Sequence, residues 1–317
     1  MASLPPGGLM EIVFSFDTTG SMNACLTEIR GRLQDMIQRL QADIPAIRIA
    51  VFAHGDYCTK SSYVTKWIDF STNVKKLCDF VMNVKGTGGT DDGGECYELV
   101  LRQVGEKLSW TPGSKRALVL VGDDNPHEPN FRANKRKIDW REEIRTLHKM
   151  GIKIYGVECD NWATMFYQTI SKETGGRHLK LENFTNIFDF LMAICYREHD
   201  ADILQDYEKE VRGRHADGTL STDMEVMFSS LQDGVASPPL PKTKTSASIV
   251  EEDETVPVLK KTTSMQGATQ ATKKADNAVK EKMKVLRKKA SSQGVQKQKR
   301  RSTRTLRTKS LKKYKVL

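Results

Sequence analysis

Much of the chain alternates between short apolar runs and stretches in which apolar residues recur every three or four positions. The run at residues 10–16 is rich in β-branched and aromatic residues and ends in a polar turn, which is typical of a buried strand. After it, Leu26, Ile29 and Leu33 begin a series spaced by three and four that predicts a helix over 22–42. This strand and helix form the first α/β unit of the predicted fold.

The same alternation continues for most of the chain. Further strands are predicted at residues 47–53, 63–70, 117–121, 152–157 and 177–181, and further helices at 74–84, 95–108, 141–150, 162–173 and 187–197. Because strands this apolar need cover on both faces, we expect a doubly wound, mainly parallel sheet flanked by helices, with an antiparallel edge strand at 63–70. Ligands of such sheets bind beyond the carboxyl ends of the strands.

Charge is distributed unevenly along the chain. The 317 residues carry a net charge of +10, yet residues 258–317 hold 20 Lys and Arg against two acids, a net of +18, and the remainder carries −8. This basic tail has one aromatic residue, Tyr314. Its apolar surface is too small to offset the entropy cost of folding, so we expect it to be mostly disordered.

The composition also predicts how the chain is organised. A charged, helix-favouring stretch followed by Gly218 indicates that the folded part ends before about residue 220. Pro-rich and acidic segments typical of a linker come next. The predicted segments are a flexible amino terminus at 1–8, an α/β domain at 9–200, a helical extension of undetermined structure at 201–235, a linker at 236–257 and the basic tail at 258–317.

Composition argues against several classes of protein. No apolar run approaches the ~20 residues needed to cross a bilayer, and the first residues lack the features of a secretory signal. The six cysteines are scattered without a Cys-x-x-Cys pair, which predicts free thiols in a reducing compartment. We therefore expect a cytoplasmic or nuclear protein. Basic clusters at 287–289 and 297–301 are spaced like a bipartite nuclear-import signal and also suit nucleic acid or another polyanion.

Three polar loops follow predicted strands or precede predicted helices on the ligand-binding edge of the sheet. The first, at residues 17–21, places the Asp17 carboxylate and two hydroxyls at alternate positions. The second, at 86–94, is dense in glycine and offers the hydroxyl of Thr90, and the third, at 122–126, begins with acids. A chain that turns into a helix can direct such oxygen atoms at one cation.

Asp-x-Thr-x-Ser after the first strand, Thr in a Gly-rich loop and Asp after the central strand together resemble the metal-ion-dependent adhesion site (MIDAS) of von Willebrand factor type A (VWA) domains. The resemblance covers about residues 8–200 and includes the order of the elements. Asp-Thr-Thr-Gly-Ser-Met and Thr-Gly-Gly-Thr-Asp are similar to segments of intracellular members, among them the A-type domain attached to some alpha-type protein kinases. No kinase domain is evident in this sequence.

The resemblance implies a Mg²⁺ site, with Mn²⁺ as an alternative ion, formed by Asp17, Thr19, Ser21, Thr90 and Asp123. Two carboxylates and neutral hydroxyls would leave the ion with net positive charge and one position for an acidic residue of a partner protein. The implied function is a non-enzymatic, metal-dependent protein–protein interaction module, with a basic tail for nuclear import or polyanion contact. This chain departs from the family pattern at Asp124, where Gly is usual.

Two alternative functions stay open. A basic nucleic-acid-associated protein could use the domain as a scaffold, and a metal-dependent hydrolase could use Asp17 and Asp123. No Gly-x-Ser-x-Gly nucleophile elbow supports the hydrolase. We interpret His54 as a turn or surface histidine rather than a catalytic base. We interpret the remaining loop acids as solvated residues rather than an acidic rim; these are Asp91, Asp92 and Asp124.

Overall fold

A six-stranded sheet with helices on both faces is formed by residues 8–58, 63–88 and 94–232, the part of the chain that the computed structural model describes. The strands are β1 (Met10–Asp17), β2 (Ile47–His54), β3 (Thr65–Ser71), β4 (Lys115–Gly122), β5 (Ile152–Glu158) and β6 (His178–Lys180). The helices of this part are α1 (Asn23–Asp43), α2 (Val74–Asn83), α3 (Tyr97–Lys107), α4 (Trp140–Lys149), α5 (Thr164–Thr174), α6 (Ile187–His199), α7 (Ala201–Gly213) and α8 (Thr222–Gln232). The predicted linker and basic tail lie outside the described residues.

The order of the strands changes direction beside the central strand β1, and we call this place the crossing point of the sheet. The order is β3-β2-β1-β4-β5-β6, and neighbours are parallel except for the antiparallel edge pair β2 and β3. The predicted doubly wound, mainly parallel sheet is confirmed. The chain passes from β1 to β2 on one side and later to β4 on the other, so the loops after β1 and β4 border the crevice in which such sheets bind ligands. Phe16 pairs with Val121, which brings Asp17 beside the loop after β4.

Two apolar layers cover the sheet. Along β1, Ile12 and Phe14 pack into the layer that contains α1, α2, α6, α7 and α8, whereas Val13 packs into the layer of α3, α4 and α5. Successive side chains of a strand point to opposite faces, and both faces are covered here. This explains why the strands read as continuous apolar runs. Each fully buried aliphatic side chain contributes about 1.5–3 kcal/mol relative to exposure.

Helix α3 begins two residues later than the sequence predicts. The main chain of Glu95 is held by the loop after β4: its N–H donates to the Asn125 carbonyl at 2.9 Å, and it forms an isolated bridge with Pro126. These bonds keep Glu95 out of the helix, which starts at Tyr97. They also fasten the end of the Gly-rich segment to the third polar loop.

The folded part of the chain extends past residue 220, further than the sequence predicts. Helix α8 buries Met224, Met227, Phe228 and Leu231, and these side chains belong to the same core as α6 and α7. The polar stretch that suggested an end is a loop between α7 and α8. The apolar pattern of α8 is too short to predict a buried helix from the sequence. The helix is buried because α6 and β6 offer a surface against which it packs.

Two further observations concern the helices and the cysteines. No helix in the described ranges is both long and apolar enough to cross a membrane. Cys25, Cys78, Cys96, Cys159 and Cys195 are free thiols. All described residues lie in the first of two units into which the chain divides, residues 1–242, and the second unit, 243–317, is outside the description.

Candidate metal centre

The turn after β1 brings three of the predicted ligand side chains together. Asp17 ends β1 and is 1% exposed, and its Oδ1 accepts a hydrogen bond from the main-chain N–H of Thr19 at 2.7 Å. This bond turns the chain back toward the sheet. The hydroxyl oxygens of Thr19 and Ser21 lie 3.4 Å apart. One carboxylate and two hydroxyls therefore converge at the carboxyl end of β1.

The loop after β4 adds a second carboxylate. Asp123 is half-buried, the nearby hydroxyl of Ser21 acts to lower its pKa, and the charge of Asp123 in turn acts on Asp17. Four of the five predicted ligands thus lie in one cluster. The fifth, Thr90, falls outside the described residues, as do Asp91 and Asp92.

The start of the Gly-rich segment is fastened to the turn after β1. The main-chain N–H of Thr87 donates to the Thr18 carbonyl at 2.8 Å, and their hydroxyl oxygens are 3.4 Å apart. Thr18 also donates its hydroxyl to the carbonyl of His54 at 2.7 Å. Thr18 therefore joins β2 and two of the polar loops. Sequence reasoning assigned no role to Thr18 or Thr87.

A tyrosine from α3 orients the first carboxylate. The Tyr97 hydroxyl donates to Asp17 Oδ2 at 2.8 Å in the buried interior. A Cβ atom on Gly122 would lie 2.0 Å from that hydroxyl oxygen, so the close approach requires glycine at the end of β4. Tyr97 is 80 residues from Asp17 in the chain, and nothing in the sequence pattern indicates their contact.

Burial and nearby negative charge raise the pKa values of the two predicted ligand carboxylates. Burial raises the pKa of Asp17 from 3.8 to about 7, although hydrogen bonds from Thr19 and Tyr97 act in the opposite direction, and the nearby Asp123 raises it further. Burial also raises the pKa of Asp123, and the charges of Asp124 and Asp160 add to this rise. Asp124 is half-buried in the loop after β4, and its charge contributes to the raised pKa of Asp123.

A third carboxylate that the sequence analysis overlooked lies beside them. Glu95 is 6% exposed, and its Oε2 has no hydrogen-bond partner in the described part of the chain. Burial raises its pKa from 4.5 to about 10, and the charges of four Asp side chains raise it further; these are Asp17, Asp56, Asp124 and Asp123. The position of this acid at the end of a Gly-rich loop was the only signal available in the sequence.

These side chains fit a hard divalent cation. Mg²⁺ prefers carboxylate and hydroxyl oxygens, which this cluster supplies. A cation would relieve the repulsion between Asp17 and Asp123. The described ranges contain no group of three or more His, Cys, Asp or Glu side chains arranged to hold a metal ion. A site here would therefore depend on the hydroxyl oxygens of Thr19 and Ser21.

His54, which the sequence analysis weighed as a catalytic base, and His127 are both buried. His54 is fully buried at the end of β2, with Nδ1 3.2 Å from the Ser15 hydroxyl, and burial lowers its pKa to about 3. The interpretation of His54 as a turn or surface residue was wrong, because β2 continues through it. His127 places Nε2 2.7 Å from Asp56 Oδ1 and stacks on Phe131 at 3.7 Å between ring centres. Both rings are enclosed by protein rather than open to a substrate.

Comparison with known proteins places the chain in a family. A protein of Acanthamoeba polyphaga mimivirus described as an ariadne-like RING finger protein is 25% identical over 191 residues, which is 55% of this chain and 18% of that protein. The chain thus spans less than a fifth of the length of that relative. The crystal structure of the conserved hypothetical protein BatB from Bacteroides thetaiotaomicron aligns with a TM-score of 0.44 and 9% identity, covering 60% of this chain and 98% of BatB. The sequence profile of the von Willebrand factor type A domain matches residues 11–192, more than half of the chain. This chain therefore belongs to the von Willebrand factor type A domain family.

Proposed function

We propose that the chain is a non-enzymatic module that binds an acidic side chain of a partner protein through Mg²⁺, with Mn²⁺ as an alternative ion. VWA domains mediate protein–protein interactions, and family membership supports this general role. The side chains that would hold the ion are Asp17, Thr19, Ser21, Asp123 and, from outside the described residues, Thr90.

The observation that carries the proposal is the concentration of buried carboxyl groups at the crossing point of the sheet. Asp17 and Glu95 have strongly raised pKa values because they are buried and because their charged neighbours include further carboxylates. A purely structural cluster of acids would lower its energy by pairing with Lys or Arg. Carboxylates that instead crowd around hydroxyl oxygens are suited to holding a cation.

The surrounding residues would keep the ligands in position. Bound Mg²⁺ would supply a coordination position for a carboxylate of the partner. The main-chain N–H of Thr19 and the hydroxyl of Tyr97 hold the two oxygens of Asp17 in one orientation. The hydroxyl of Ser21 lies near enough to Asp123 to lower the pKa of that carboxyl, so the first and third loops are close together. A site that is organised before binding loses less entropy when the partner arrives.

Calorimetric titration of the full-length chain with MgCl₂ tests the metal site. We expect a binding heat that Asp17→Asn abolishes, since this change removes a ligand charge at nearly constant volume. Asp35→Asn, at an exposed position on α1, is the matched control and is expected to bind as the wild type does. Absence of binding heat in the wild type, or equal binding by Asp17→Asn, would contradict the proposal.

Capture of partners from a lysate separates the proposed function from its two alternatives. Partners that EDTA releases and nuclease does not are expected, and Asp17→Asn is expected to capture none of them. Partners lost only on nuclease treatment would instead favour the nucleic-acid-associated protein. Turnover of a phosphoester or acyl substrate that disappears in Asp17→Asn would favour the hydrolase.

The basic tail supports a second activity on the basis of its composition. Residues 258–317 carry a net charge of +18, which suits nuclear import or contact with phosphate groups. Binding of the full chain to duplex DNA is expected to weaken steeply with salt and to be lost when the tail is deleted. DNA binding that survives the deletion would contradict a role for the tail.

A further inference from the structure

Two large apolar side chains at the start of α5 are exposed to solvent. Trp162 is 68% exposed and Met165 is 73% exposed, the two highest values among large apolar residues in the described part of the chain. They are three positions apart in the sequence, so one partner can contact both. Single exposed apolar residues are common on protein surfaces, but neighbouring ones indicate an interaction site. Tryptophan in particular is enriched among the residues that dominate binding energy.

The segment that carries these side chains is fastened to the candidate metal centre. The side-chain amide of Asn125 donates to the Trp162 carbonyl at 3.3 Å, and Asn125 is two residues beyond Asp123. The main-chain N–H of Cys159 donates to the Gly122 carbonyl at 2.8 Å. The loop after β5 therefore lies directly beside the loop after β4, on the same edge of the sheet.

The charges around this surface restrict the partner. Asp124 and Asp160 flank Asp123 and give the rim a negative charge. A segment with several acids would be repelled by this rim at every point except the proposed cation. A segment with one acid avoids that repulsion, and an adjacent apolar side chain adds contact area without adding charge.

We infer that Trp162 and Met165 form the second half of the partner-binding surface, which receives an extended protein segment carrying one acidic residue and one large apolar residue. This inference rests on the proposed metal-dependent function. The acid would lie at the metal centre, and the apolar side chain against Trp162 and Met165. The loop after β5 lies directly beside the loop after β4, so the two side chains of an extended segment are expected within a few positions of each other.

Selection from a library of displayed random peptides tests the inference directly. The full-length chain is immobilised with MgCl₂, and bound peptides are sequenced. We expect enrichment of a single Asp or Glu with a large apolar residue within a few positions of it, and depletion of further acids. A selected peptide is then titrated against the wild type and against the double variant Trp162→Ala, Met165→Ala. Its affinity for the double variant is expected to fall about tenfold or more.

The controls separate failure of this inference from failure of the metal site. Met82→Ala removes a 60% exposed methionine from α2 and is expected to leave peptide affinity unchanged. Peptides that share an acid but no apolar residue, or that bind the double variant as tightly as the wild type, would overturn the inference and leave the metal-dependent function standing. Peptides without an acid would overturn it together with that function, a result that the Mg²⁺ titration checks independently.

Discussion

Replacing Glu95 by Gln is the change whose effect follows most directly from the structure. The carboxyl group is buried, one of its oxygens has no partner in the described residues, and burial with four nearby Asp charges raises its pKa from 4.5 to about 10. A raised pKa means that the folded protein binds a proton more tightly than the unfolded chain does. The stability contributed by this proton is fully present below about pH 4.5 and is lost as the pH rises toward 10.

The size of the effect depends on the difference between the pH of the measurement and the ordinary pKa of a glutamate side chain. At pH 7, about 2.5 pH units above 4.5, the cation-free protein has lost roughly 3 kcal/mol at this one site. Glutamine has nearly the same shape and does not titrate, so Glu95→Gln is expected to stabilise the cation-free protein by up to that amount. For a domain of this size, roughly 3 kcal/mol corresponds to a rise in Tm of about 6–12 °C.

Thermal unfolding followed by circular dichroism in EDTA measures this effect. We expect a large rise in Tm for Glu95→Gln at about pH 7 and a rise of less than about 1 kcal/mol in stability at about pH 5. Glu173→Gln, at an exposed position on α5, is the control and is expected to change Tm little at either pH. Destabilisation by Glu95→Gln, or an equal shift at both pH values, would refute the electrostatic reasoning.

The same pair of proteins also reports on the cation. When Mg²⁺ binds near Glu95 at about pH 7, it favours release of the proton that the wild-type side chain holds and then stabilises the carboxylate, whereas the glutamine gains less. The difference in Tm between the two proteins is therefore expected to shrink as the ion binds. A difference that stays constant across the titration would mean that the ion does not bind near Glu95.

Three further predictions concern the site and the extent of the fold. Because burial raises the pKa of Asp17 to about 7 and protons compete with the ion, Mg²⁺ affinity measured by calorimetry is expected to fall about tenfold per pH unit below about pH 7; a pH-independent affinity would contradict this. Gly122→Ala places a Cβ 2.0 Å from a buried tyrosine hydroxyl, so it is expected to lower the free energy of unfolding, measured in urea, by about 1–3 kcal/mol. Gly31→Ala on α1 has no neighbour within 4 Å and is expected to raise that free energy by about 0.5–1 kcal/mol. Phe228→Ala in α8 is expected to lower the free energy of unfolding by about 3–5 kcal/mol, and the exposed control Val226→Ala is expected to change it by no more than about 0.5 kcal/mol. Equal effects of the two substitutions would mean that α8 does not pack on the core.

Differences between prediction and structure arise where long-range packing overrides a local pattern. Residues 216–218 read as the end of the folded part, yet α8 follows them because α6 and β6 offer an apolar surface that it can cover. His54 reads as a turn residue because it is polar and precedes a glycine. The structure buries His54, because β2 pairs with β1 along its whole length and His54 lies opposite Asp17 at the end of the pair.

The sequence alone determined the order of the strands and helices, the doubly wound sheet and the convergence of Asp17, Thr19, Ser21 and Asp123. Periodicity records which face of each element is buried, and parallel strands bring their carboxyl ends to one edge, so these features follow from local patterns. Only the tertiary structure brought the Tyr97 hydroxyl to Asp17 and enclosed Glu95 among acids from other loops. Such contacts join segments far apart in the chain, and the pKa values they produce depend on burial and distance, which periodicity does not record.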